Sequence, residues 1–134
     1  MQQTVPIKNG SQFIAEQAGN TLIIRLKLHS LDSRLSERER YQVNELLAKY
    51  RQVIVDFADV ATTNGTGLDV IADWVRFVRS AGNALVLAQC SAAIVSLLRV
   101  LRISRVVPVI ASLRDALDYF EHGGHGILIP QDPQ

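Results

Sequence analysis

Cysteine is nearly missing from this chain of 134 residues: Cys90 stands alone, so no internal disulfide can form and a reducing compartment suits the chain. Excess charge of either sign is missing too. A formal net charge of +1 gives no overall reason to expect nucleic acid or a membrane as partner. The longest apolar run, Ile94 to Ala111, is broken by Arg99, Arg102, Arg105 and Pro108, which excludes a bilayer span there. Met1 to Gly10 is polar and interrupted by Pro6, so no secretory signal is expected. A cytoplasmic location follows as the default. His29, His122 and His125 show no metal spacing with one another or with Cys90. No Gly-rich P-loop, dinucleotide fingerprint or nucleophile elbow is present. Neither a metal nor a cofactor is therefore expected.

What is present is a chain that is 48% hydrophobic and 20% charged, the profile of one globular domain large enough to enclose a core without staples. We expect a single domain over residues 1–134, with a core of about 11–122 and an apolar C-terminal tail over 123–134. Met1 to Gly10 reads as a loose lead-in. Phe13 to Ala15 and Thr21 to Leu28 flank Ala18-Gly19-Asn20 as a hairpin, with Leu22, Ile24, Leu26 and Leu28 on one face. Arg25 and Lys27 point to the other face, which is expected to be partly wet.

Ser36-Glu37-Arg38-Glu39 is a capping box opening a helix to about Tyr50, in which Glu39 reaches back to the cap. Gln52 to Phe57 and Ala84 to Ala88 are continuous apolar strands, the pattern of strands covered on both faces. Helices are expected from about Gly67 to Ala81, from the Ser91 cap to Arg102, and from the Ser112 cap to His122. Val106 to Ile110 completes the strands. Strands alternating with helices after an opening hairpin predict an α/β domain with a mostly parallel sheet and about four helices.

The candidate site is the loop between the strand at Val53 and the helix at Gly67. It reads Thr62-Thr63-Asn64-Gly65-Thr66-Gly67-Leu68. Free backbone amides at a helix start, with a hydroxyl beside them, favour an anion. Thr66 has two readings here: a phosphoacceptor, or the N-cap of the helix. Along that helix Val70, Trp74 and Phe77 form a second apolar stripe, distinct from Leu68, Ile71, Val75 and Val78. It is either a partner or dimer face or a surface covered by the tail Ile127-Leu128-Ile129. Asp56 and Asp59 read as strand-end and turn residues rather than a general-acid pair.

The order Val53–Phe57, Asn64-Gly65-Thr66-Gly67, helix resembles the signature of the STAS family, the anti-sigma-factor-antagonist-like domains. Further positions carry the resemblance: Gly82, Leu85-Val86-Leu87, Leu97-Leu98 to Leu101, Val106-Val107-Pro108-Val109 and Ala116-Leu117. Members usually read Asp-Ser-Ser-Gly where this chain has Asn64, Gly65, Thr66 and Gly67. The resemblance implies a bacterial, non-enzymatic signalling domain acting in transcription regulation. It would bind an anti-sigma factor with kinase activity, or another STAS subunit. The implied partner surface is Leu31, Asp32 and Ser33 together with Thr62, Thr63, Asn64, Gly65, Thr66, Gly67 and Leu68, with Thr66 as modifiable switch. The alternatives are a constitutive scaffold or dimerisation module using Val70, Trp74 and Phe77, and a small-ligand or anion sensor at the same helix start.

Overall fold

A computed structural model describes residues 3–124. The hairpin forms where the two apolar segments meet at Gly19, whose φ of 61° turns the chain between β2 (Phe13–Ala18) and β3 (Thr21–Leu26). The lead-in is not loose: Thr4–Asn9 is β1, antiparallel to β2. Nearly all of it is exposed, so burial left no pattern to read. Backbone pairing holds it in place. Pro6 and a register shift before Lys8 fit an edge strand.

After β4 (Ser30–Leu31) come α1 (Glu37–Lys49), β5 (Gln52–Asp56), β6 (Thr62–Thr63) and α2 (Gly65–Ala81). Then follow β7 (Ala84–Ala88), α3 (Ala92–Val100), a 3-10 turn at Ile103–Arg105, β8 (Val109–Ile110) and α4 (Leu113–Glu121). The main sheet has the order β1-β2-β3-β5-β7-β8, with β3, β5, β7 and β8 mutually parallel. It is a mixed α/β architecture: mostly parallel, with an N-terminal antiparallel hairpin.

Alternation along the strands divides the core. Leu22, Ile24, Val53, Val55, Leu85 and Leu87 meet Val43 and Leu47 of α1, Ile71, Trp74 and Val78 of α2, and Ile94 and Leu98 of α3. Ile54, Val86 and Ala88 face the other way, onto Ala116 and Phe120 of α4. β5 and β7 are thereby covered on both faces, which is why they read as unbroken apolar runs.

Several boundaries differ from expectation. β3 stops at Leu26 rather than Leu28. α3 ends at Val100 because Arg102 takes φ 63°, a left-handed conformation that no helix continues. Val106 and Val107 close the 3-10 turn with bonds to the Ile103 carbonyl at 3.0 and 3.1 Å, leaving only two residues for β8. Gly82, with φ 73°, ends α2 as its sequence position suggested.

The capping box is half realised. Ser36 Oγ accepts from the Glu39 amide at 3.1 Å, but Glu39 does not reach back. Its carboxylate accepts from the Gln12 amide at 2.8 Å and from the Ser11 hydroxyl, and the Ser36 amide donates to Gln12 Oε1 at 2.8 Å. The start of α1 is thus clasped to the start of β2. Among the described residues no helix is long and apolar enough to cross a membrane. The tail read at 127–129 lies outside the described residues.

Candidate functional site

The two loops singled out in the sequence are brought together by a two-residue parallel ribbon. β4 pairs with β6, Ser30 against Thr62 and Leu31 against Thr63. Thr63 Oγ1 donates to the Leu31 carbonyl at 2.8 Å, and Thr62 Oγ1 donates to Ser30 Oγ at 3.2 Å. The Ala61 amide adds a bond to the His29 carbonyl at 2.8 Å. The first turn of α2 packs directly on this ribbon, because Gly67 has no side chain. A Cβ there would lie 2.0 Å from the Leu31 carbonyl oxygen.

The cap of α2 is Asn64, not Thr66. Asn64 is extended (φ −127°, ψ −169°), and its Oδ1 accepts from the Gly67 amide at 3.0 Å. The helix therefore begins two residues earlier than its apolar periodicity indicated. Asn64 supplies the capping acceptor, which sets aside the N-cap reading of Thr66. Thr66 occupies the first turn, exposed, and among the described residues its hydroxyl has no hydrogen-bond partner. The amides of Gly65 and Thr66 lack acceptors within the helix, as the first amides of any helix do. Nothing lies within 4 Å of a Cβ built on Gly65.

Exposure sorts the candidate surface. Ser33, Thr62, Asn64, Gly65 and Thr66 are exposed, Thr63 and Leu68 are half-buried, and Leu31, Asp32 and Gly67 are buried. Leu31 and Gly67 hold the ribbon and helix together instead of meeting a visitor. Asp32 is covered by the largely exposed Arg34. The Arg34 guanidinium donates to both its oxygens, at 2.8 to 3.2 Å, and the Arg34 amide adds a bond at 2.9 Å. Hydrogen bonding from the Arg34 side chain, then from its amide, lowers the Asp32 carboxyl from 3.8 to about 2.

Beneath the loop lies a network that the sequence did not reveal. Asp56, fully buried at the end of β5, accepts from Arg25 Nε at 3.1 Å, the Ala58 amide at 2.9 Å and Gln89 Nε2 at 2.9 Å. It pins the starts of the loops after β5 and β7. Ser91 Oγ, which also caps α3, donates to the Ala61 carbonyl at 2.8 Å. Asp56 is spoken for on both oxygens, as suits a strand-end residue. Burial, and then the charge of Asp56, pushes the Cys90 thiol up from 9.0 to about 12.

The second stripe on α2 is mostly internal. Trp74 is 0% exposed and Val70 is 2% exposed, both in the main core. Only Phe77, at 40%, reaches the surface. α1 lies against α2, tied by the Arg40–Asp73 ion pair, and the wide apolar face of α2 is shared between α1 and the sheet. Val70 and Trp74 are thus not available to a partner. Four cavities of about 250 to 310 Å³ are lined by residues of β1, α1, α2 and the hairpin tip beside α4, and none of the four includes the loop from Thr62 to Leu68. Among the described residues no cluster of His, Cys, Asp and Glu could hold a metal ion.

The fold and the site define a sheet-and-helix domain that presents a hydroxyl from an open helix start. The STAS domain family model matches residues 12–116, and the chain belongs to that family. Among curated proteins none matches the chain. Solved structures share the fold. The anti-sigma factor antagonist SpoIIAA in its unphosphorylated form is 17% identical, with a TM-score of 0.67 over 82% of this chain and 96% of its own. The phosphorylated form of SpoIIAA, the Bacillus cell fate determinant, is 14% identical with a TM-score of 0.60, over 88% and 99% of the two chains. The murine anion transporter Slc26a9 is 14% identical with a TM-score of 0.66, but the match spans 92% of this chain and only 23% of that one.

Proposed function

We propose that this chain is a non-enzymatic, cytoplasmic interaction domain of the anti-sigma-factor-antagonist type. It docks a protein partner on the exposed edge formed by Ser33, Thr62, Asn64, Gly65 and Thr66, and phosphorylation of Thr66 regulates that docking. The observation that carries this reading is the state of Thr66: exposed, unengaged among the described residues, and relieved of capping by Asn64. Phosphate at this position would add about −1.5 to −2 of charge. The helix start tolerates that charge, stabilising it by roughly 0.3–1 kcal/mol. The fold then survives modification while a complementary surface is repelled.

The test is intact mass spectrometry after incubation with ATP and the anti-sigma-type kinase of the same source. The expected result is a stoichiometric gain of one phosphate that disappears in Thr66→Ala, with the thermal midpoint of that variant unchanged. No gain, or one that persists in Thr66→Ala, overturns the switch. The scaffold alternative now rests on Phe77, which borders a groove with Asn44, Asp73, Arg76 and Ser80.

A further inference from the structure

From Trp74 to Arg114 the chain contains no aspartate or glutamate, yet six arginines fall in that stretch. Three of them, Arg99, Arg102 and Arg105, lie at the end of α3 and in the following turn. All three are exposed. The ion pairs among the described residues involve Arg25, Arg34, Arg40 and Arg76 instead. Between these arginines sit two large apolar side chains in the open: Val100 is 75% exposed and Leu101 is 51% exposed. The left-handed Arg102 reverses the chain just after them, so they stand where one helix stops and the turn begins. With both side chains exposed at the end of α3, the segment forms a projecting tip.

We propose that this tip is a peripheral docking surface for anionic lipid headgroups, with Val100 and Leu101 entering the headgroup layer and Arg99, Arg102 and Arg105 meeting the phosphates. An apolar point with guanidiniums beside it, in a stretch of sequence without acids, complements a negatively charged surface. A second copy of the chain is a poor occupant. A symmetric pairing of this tip would gather six guanidiniums with no counter-charge between them. Contact at the tip is compatible with a partner at Thr66. The start of α3 is tied to the candidate loop through Ser91 and Ala61, and the tip is at the far end of that helix, about 13 Å away.

Co-sedimentation of the full chain with vesicles tests the assignment. At low salt the protein is expected to sediment with vesicles of phosphatidylcholine and phosphatidylglycerol in equal parts, and to stay in solution with phosphatidylcholine alone. Each arginine at an anionic surface strengthens binding about 5-fold, so the triple variant Arg99→Gln/Arg102→Gln/Arg105→Gln should weaken it roughly 100-fold. Leu101→Asp should weaken it as well, and high salt should release the wild type. The single variant Arg102→Gln, expected to lose about 5-fold, serves if the triple variant does not fold. Absence of sedimentation with the anionic vesicles overturns the proposal, as does equal binding to neutral ones or a folded triple variant that binds like wild type. Binding to polyglutamate without binding to vesicles also overturns it, and assigns the tip to an acidic protein.

Discussion

A methyl group added at Gly67 would lie 2.0 Å from the Leu31 carbonyl oxygen and 2.1 Å from Thr63 Oγ1. Both contacts are far inside van der Waals range, and one is to backbone that cannot rotate away. Gly67→Ala should therefore cost at least the roughly 1–3 kcal/mol typical of overpacking, by prising α2 off the β4–β6 ribbon. Gly65 faces open space with an ordinary φ. Gly65→Ala should be neutral or stabilising, by up to about 1 kcal/mol, through reduced backbone freedom in the unfolded chain. Urea unfolding of the two variants checks the pair, and equal stabilities would refute the described seating of α2. Asn64→Ala should lose roughly 0.5–2 kcal/mol with the cap. Asn64→Asp keeps the acceptor oxygen and places a negative charge at the helix start, with an expected gain of about 0.3–1 kcal/mol. It also restores the carboxylate usual in the family signature, so both substitutions read stability and signature chemistry at one position.

Helix α2 shows how packing decides what periodicity leaves open. Its sequence carries two apolar stripes, and one helix cannot say which of them meets a neighbour. α1 settles it: Trp74 is enclosed, with its indole N–H unpaired among the described residues, while Phe77 stays at the surface. Trp74→Ala should cost roughly 3–5 kcal/mol by emptying a core position. Phe77→Glu should change stability within about 0.5 kcal/mol. Light scattering on Phe77→Glu then tests self-association without unfolding the chain, a separation that substitution of Trp74 could not provide.

The same distinction explains what was legible. The order of the hairpin, β5, β7 and the four helices could be read because their signals are local: period, caps at Ser36, Ser91 and Ser112, and the Gly82 stop. β1 was missed because its side chains are bare and only its backbone is engaged. The β4–β6 ribbon is too short to leave a pattern, so nothing in the sequence showed that Leu31 lies buried beside Thr63. The Arg25–Asp56 pair depends on the register of β3 against β5, which no single strand encodes. At the site itself, the loop and its helix were legible. The identity of the cap was not, since Asn64 and Thr66 are both capping types.

At the scale of the whole molecule, the Asp32 carboxyl and the Cys90 thiol titrate away from their ordinary values in opposite senses, and each adds a pH dependence to the fold. Folding lowers the Asp32 carboxyl from 3.8 to about 2, chiefly through the Arg34 guanidinium. The charged form is favoured in the folded state, so this stabilisation is fully present above about pH 4 and is lost as pH falls toward 2. Arg34 is largely exposed, so solvent and salt weaken the effect. The Cys90 thiol moves from 9.0 up to about 12 because burial opposes the thiolate. Its neutral form is favoured in the fold, so that contribution holds below about pH 9 and is lost as pH rises toward 12.

Stability should accordingly be level between those limits with respect to these two groups, and fall on both sides. Arg34→Ala should flatten the acid limb, by removing the main cause of the lowered Asp32 carboxyl, and leave the alkaline limb in place. Cys90→Ala should flatten the alkaline limb alone. The same thiol reports on the fold directly. At about pH 8 the thiolate of the half-buried Cys90 is scarce in the native protein, so a thiol reagent should modify Cys90 more slowly in the fold than in the unfolded chain. The labelling rate should then follow urea concentration in step with the unfolding equilibrium. Native-state labelling as fast as that of an unfolded peptide would show that the sheet end at Cys90 is open, and with it the loops that Asp56 pins.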